Sequence, residues 1–108
     1  MEIYRISYTD EALQDLRDIF EYISLELKVP EIAAAQVRRI LNHARSLDTF
    51  PERCKPVNWE PWSDIGMRQM PVDNFMIFYI IEAKFQSVQI VRVLYSKRNI
   101  QEIAEIDK

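Results

Sequence analysis

A chain with one cysteine, one histidine and one glycine closes off several kinds of chemistry at once. Cys54, the only cysteine, rules out an intramolecular disulfide, and a thiolate metal site would have to find its other ligands with His43 as the sole imidazole. No metal and no cofactor are expected. Long apolar runs are also missing. The longest, Phe75 to Ile81, falls far short of the roughly 18 to 20 residues that cross a bilayer. The start Met-Glu-Ile-Tyr-Arg lacks the basic-then-apolar plan of a signal peptide, so a cytoplasmic protein is expected. A positive balance is absent as well. The net charge of −3 argues against a surface that embraces nucleic acid throughout, because that affinity rests on Lys and Arg neutralising phosphates.

What is present is the composition of an ordered globular protein: 48% apolar and 29% charged residues in 108 positions. That length makes a single domain, residues 1–108, with one core. Charge is unevenly spread. Residues 9–28 hold six acids (Asp10, Glu11, Asp15, Asp18, Glu21, Glu26) against Arg17 and Lys28, whereas residues 38–55 hold Arg38, Arg39, Arg45, Arg53 and Lys55 against Asp48 and Glu52. Both read as solvated helix faces with some mutual pairing.

The run from Ile3 to Tyr8 alternates as a strand would, and Thr9 both ends it and supplies a hydroxyl to cap a following helix. Leu13, Leu16, Ile19, Phe20, Ile23 and Leu27 recur at the three-and-four spacing of one buried face. Pro30 stops that helix near Lys28 and starts a second, whose Ala33, Val37, Ile40, Leu41, Ala44 and Leu47 continue to about Asp48. The two form an antiparallel hairpin. Residues 51–64, with three prolines, Trp59 and Trp62, form a loop anchored by aromatic rings. Gly66 to Val72 reads as an edge strand marked by Pro71. Phe75–Ile81 and Val88–Tyr95 read as two buried strands joined by a link too short for a helical crossover, hence antiparallel neighbours. Ile100, Ile103 and Ala104 predict a short C-terminal helix. The predicted class is therefore α+β: a helical hairpin on one face of a small, mostly antiparallel four-stranded sheet, in the order β-α-α-β-β-β-α, with a concave opposite face.

Lys97 and Arg98 follow the last strand, where a fixed backbone can aim positive charge at a phosphate or an acidic partner. Arg68 is a second cation on the edge strand. Arg92, inside an apolar strand, must reach solvent or find a buried acid. Trp59 and Trp62 serve either as core anchors or as stacking and partner-binding rings. His43 lies off the core stripe and is read as a surface residue.

The segments Tyr8 to Leu16, Ile19-Phe20-Glu21-Tyr22-Ile23, Leu47-Asp48-Thr49-Phe50-Pro51, Gly66-Met67-Arg68, Asn74 to Tyr79 and Val91 to Arg98, taken in this order and spacing, resemble the RelE/ParE toxin superfamily over almost the whole chain. The resemblance implies the toxin of a type II toxin-antitoxin pair, of the kind associated with plasmid stabilization. It implies a cognate antitoxin as partner, which binds DNA for both while this chain reads none itself. RelE-like members are ribosome-dependent mRNA endonucleases, and ParE-like members poison DNA gyrase without catalysis. For a nuclease, Arg68 and Arg98 match the family's cations, and Lys97, Trp59 and Trp62 would join them in holding RNA or antitoxin. Met76 stands where such nucleases carry arginine, and Ala104 or its neighbours stand where they carry Tyr or His, leaving Tyr95, Tyr79 or Glu102 as substitute proton carriers. The expectation is a metal-independent mRNA endonuclease using Arg98, Arg68 and Tyr95. The alternatives are a gyrase inhibitor or a decayed, non-toxic antitoxin-binding module.

Overall fold

Thr9 turns the first strand into the first helix by a double use of its hydroxyl. In the structure, a computed structural model that describes residues 3–97, Thr9 Oγ1 accepts from the Ala12 amide at 3.0 Å and donates to the Val91 carbonyl at 2.7 Å. One side chain thus caps the helix and ties its start to a neighbouring strand. The elements run β1 (Arg5–Tyr8), α1 (Asp10–Leu27), α2 (Pro30–Arg45), β2 (Arg68–Val72), β3 (Phe75–Glu82) and β4 (Ser87–Tyr95), with short 3-10 turns between α2 and β2 and between β3 and β4. Lys28 ends α1 in a left-handed conformation, its amide bonded to the Ser24 carbonyl, and Pro30 opens α2.

The four strands are ordered β1-β4-β3-β2, with β1 parallel to β4 and the other pairs antiparallel. The α1–α2 hairpin is the crossover that makes the parallel pair possible. Its apolar stripe meets one face of the sheet, where Ile40, Ala44 and Leu47 pack with Ile77, Tyr79, Val88, Ile90 and Val93. Each such aliphatic side chain contributes about 1.5–3 kcal/mol. The α+β class and the element order predicted from β1 to β4 are those observed; the predicted C-terminal helix lies outside the described residues.

β2 is the edge strand that Pro71 announced. The Gln69 amide points outward to the Lys55 carbonyl, and Val57 donates to Met67, so residues 55–57 shield the first half of that edge. Two residues on, Pro71 has no amide to leave unpaired there. The opposite face of the sheet is less open than expected. The loop that follows residue 54 folds over it, burying Val57 and Trp62 against Met67, Phe78 and Leu94 in a second small core. Met67 and Met70 are buried and Met76 is half-buried, so these methionines fill core.

Candidate functional site

Arg68 is occupied with its own backbone. It lies on the helix-covered side of β2, beside Tyr79 in the ladder, and one guanidinium nitrogen donates to the carbonyls of Cys54 at 2.6 Å and Glu52 at 3.1 Å. Tyr79, fully buried, donates its hydroxyl to the Pro51 carbonyl at 2.6 Å. Burial, with the neighbouring Cys54 thiol adding to it, pushes that hydroxyl well above the ordinary tyrosine range, against the opposing charges of Arg68 and Arg53. Arg53 spends its own donors on the carbonyls of Ser46, Thr49 and Phe50 and on the Ser46 hydroxyl. Three side chains thus hold the segment 46–54 that closes the helix-side core, and Tyr79 is a poor proton carrier.

Tyr95 and Lys97 stand at the other end of the sheet. Tyr95 is paired with Phe75, which is paired with Val72, and its ring meets Phe75 edge-on with centroids 5.8 Å apart. Arg68 sits four positions before Val72 on the same strand, so the two candidates are separated by about 13 Å along the sheet. Ser96 donates its amide and hydroxyl to the Asn74 carbonyl, which fixes the turn that carries the exposed Lys97. Arg98, Glu102 and Ala104 lie outside the described residues.

Trp62 is 4% exposed and packs on Phe78 with ring centroids 4.7 Å apart. A ring so covered cannot also stack on a nucleotide base. Trp59 is half-buried, leaning on Trp62 and edge-on to Phe78. His43 lies on the surface, its Nδ1 hydrogen-bonded to the Arg39 carbonyl. Among the described residues no three His, Cys, Asp or Glu side chains are grouped to hold a metal ion.

Arg92 finds a buried acid. Asp15 on α1 takes its guanidinium with two bonds of 2.8 and 3.0 Å and also accepts the Val93 amide at 3.0 Å. The partner lies at a β-bulge, where Phe78 pairs with Arg92 but Tyr79 pairs with Ile90, leaving Val91 as the extra residue. Asp15, counted with the solvated acids in the sequence reading, is a core residue.

The other feature that sequence periodicity missed is a groove on the helical hairpin. Leu13, Leu16, Phe20, Val37 and Leu41 line it, with Arg17 and Glu21 on the rim. Leu13 and Phe20 belong to the stripe expected to be buried, yet they are among the exposed apolar residues. The reason is geometric. Gln36 and Arg39 tie mid-α2 to Asp73 at the β2–β3 turn, while Leu13 and Phe20 face the groove between the helices and take no part in the core against the sheet. The signal was available as an apolar stripe wider than one sheet face can cover.

The sequence from residue 6 to residue 100 matches the family model for the ParE toxin of the type II toxin-antitoxin system parDE. No curated protein sequence matches the chain. Among solved structures, the chromosomal ParDE system from P. aeruginosa is similar at a TM-score of 0.73 and 20% identity, covering 88% of this chain and 98% of that one. The RelBE2 toxin-antitoxin complex from Mycobacterium tuberculosis is similar at 0.64 and 25% identity, covering 88% and 93%. The archaeal RelE–RelB complex from Pyrococcus horikoshii follows at 0.59 and 16% identity, covering 89% and 98%.

Proposed function

We propose, for a chain that belongs to the ParE toxin family of type II toxin-antitoxin systems, that it stops growth by binding DNA gyrase and not by cutting mRNA. The observation that carries this reading is the separation of Arg68 from Tyr95 together with the commitment of Arg68 to the carbonyls of Glu52 and Cys54. Cleavage of RNA through its own 2′-hydroxyl needs a proton acceptor, a proton donor and cations around one phosphate. Arg68 and Tyr95 do not converge on a site of that size. Binding alone needs no such convergence, only a shaped surface.

The antitoxin occupies a different part of the molecule. Its amphipathic helix lies in the groove of Leu13, Leu16, Phe20, Val37 and Leu41, with Arg17 and Glu21 pairing charges at the rim. An apolar groove between two helices is what a third helix, bearing residues at three-and-four spacing, fills best.

The test is a pair of reactions with the purified chain: supercoiling of relaxed plasmid by gyrase, and cleavage of a defined mRNA on translating ribosomes. Inhibited supercoiling with intact mRNA supports the reading. Cleaved mRNA with unaffected supercoiling returns the chain to the nuclease group and makes Arg98, with Lys97 beside it, the residue to study first.

A further inference from the structure

The two edges of the sheet are treated differently. β2 lies under residues 55–57 and carries Pro71, whereas β1, the other edge strand, has no strand on its outer side among the described residues. The Arg5 amide donates to the Gln86 carbonyl and the Thr9 amide to the Ile90 carbonyl, so the odd-numbered residues of β1 face β4. Backbone alternation turns Ile6 and Tyr8 the other way. The Tyr4 amide shows that direction. It points away from β4 and is taken by the Asp48 carbonyl, which closes the start of the edge. Past Tyr4, no hydrogen bond among the described residues reaches the backbone of Ile6 or Tyr8. Their amides and carbonyls face outward at the spacing of a ladder, which another extended chain matches.

So short an open edge is too small to hold a strand by itself. The helical groove beside it supplies the rest. Leu13 stands one helical turn beyond Thr9, its amide on the Thr9 carbonyl, and Arg45 stands one turn beyond Leu41. Arg45 is also near Tyr8: burial raises the tyrosine hydroxyl above its ordinary range, and the Arg45 charge opposes that rise. The groove end lined by Leu13 and Leu41 therefore opens at the Tyr8 end of β1. Arg5 and Arg45 are exposed, and neither has an ion-pair partner among the described residues.

We propose that the β1 edge receives an extended, acidic segment of the antitoxin, the stretch that follows its groove-filling helix, as a further strand antiparallel to β1. The helix leaves the groove past Leu13 and Leu41, and the strand starts beside Tyr8 and ends beside Ile6. Its carboxylates meet Arg45 at the junction and Arg5 at the far end. Antiparallel pairing sets this order, helix before strand. Main-chain bonds supply affinity, and the two arginines select acidic side chains. Once the helix is seated the strand binds as part of the same molecule, so a few bonds suffice. A second copy of this chain is the poorer fit. The register that pairs both open residues, symmetric about Ser7, sets Tyr4 against Asp10 of the second copy, where Asp48 already lies. The Asp48 carboxylate would then meet Asp10 and Glu11, like charges that oppose the pairing.

The inference rests on the reading that places the antitoxin helix in the groove, and the experiment separates the two. Amide hydrogen exchange is followed residue by residue in the free chain and in its complexes with the cognate antitoxin, full length or truncated after the groove-filling helix. Affinities of both antitoxins are measured for the wild type, Arg5→Glu and Phe20→Asp, with thermal unfolding to show that each variant folds. In the free chain Arg5 and Ser7 are expected to exchange slowly, and Ile6 and Tyr8 fast. Full-length antitoxin should slow Ile6 and Tyr8 by roughly tenfold or more. The truncated antitoxin should leave them fast, bind roughly tenfold more weakly and no longer distinguish Arg5→Glu from the wild type. Unchanged exchange at Ile6 and Tyr8, in a complex that Phe20→Asp weakens, would overturn the strand and leave the groove. Equal binding by Phe20→Asp and the wild type would remove the groove and the inference with it. Slow exchange at Ile6 and Tyr8 in the free chain, becoming slower as its concentration rises, would give the edge to a second copy and overturn the choice of antitoxin.

Discussion

Asp15 and Arg92, 77 residues apart in sequence, close a bidentate ion pair at the bulge of β4, where the same carboxylate also accepts the Val93 amide. Both side chains are largely withdrawn from water, at 15% exposure for Arg92 and 11% for Asp15. Three consecutive β4 residues are therefore secured by α1: Val91 through Thr9, and Arg92 and Val93 through Asp15. The hairpin is thereby fastened to the sheet through the first half of α1 and the residue that caps it.

Asp15→Ala is expected to lower stability by about 3 kcal/mol, because it removes the buried carboxylate that accepts from both the Arg92 guanidinium and the Val93 amide. Arg92→Met alone should cost less, since the carboxylate keeps the Val93 amide. Urea unfolding of the two single variants and the double variant checks the coupling. Losses that simply add would mean that the pair is not acting as a unit.

The buried Tyr79 hydroxyl gives a second handle. Tyr79→Phe removes the hydroxyl that donates to the Pro51 carbonyl and should cost about 1–2 kcal/mol at neutral pH. The pH dependence follows from burial. Tyr79 keeps its proton in the folded chain to a pH at which an unfolded chain has lost it, so the unfolded state binds fewer protons and stability falls as pH rises past about 10. The Phe variant should show a shallower alkaline limb in a pH series of thermal melts. Identical limbs would contradict the assignment.

How far the sequence revealed this architecture depends on the kind of interaction. Local signals worked: Thr9 capped α1, Pro30 opened α2, Pro71 marked the edge, and the paired runs of β3 and β4 lay where β-branched and aromatic residues and the short link between them put them. Arg92 in an apolar strand had either to reach solvent or to find a buried acid, and nothing local to Asp15 distinguished it from Asp18 on the same helix; the bulge on β4 does so. The site was the least legible part. Arg68 looks like a free edge cation in one dimension, and its tie to Glu52 and Cys54 arises from a loop of irregular period. Trp62 and Phe50 were likewise beyond reach, since burial of one and exposure of the other depend on where that loop folds.

Arg68→Met separates a structural arginine from a phosphate-binding one. Loss of its bonds to two carbonyls should cost about 1–3 kcal/mol, while growth arrest on expression persists at a temperature where the variant stays folded. A stable but harmless Arg68→Met would instead assign the arginine to the toxic act.

Phe50→Gly should leave stability within about 1 kcal/mol of the wild type, because relief of the left-handed strain offsets the greater freedom of the unfolded glycine. Phe50→Val, branched at Cβ and equally left-handed, should be clearly destabilised. Equal melting temperatures for the two would show that the loop relaxes and that Phe50 is not held under strain.

The central claim, growth arrest by binding gyrase and not by cutting mRNA, is tested most directly by pulse labelling of DNA and protein synthesis in a bacterial host just after the chain is induced without antitoxin. DNA synthesis falling first, with translation continuing for some minutes, is the predicted result. Translation stopping first, with DNA synthesis following, would contradict it.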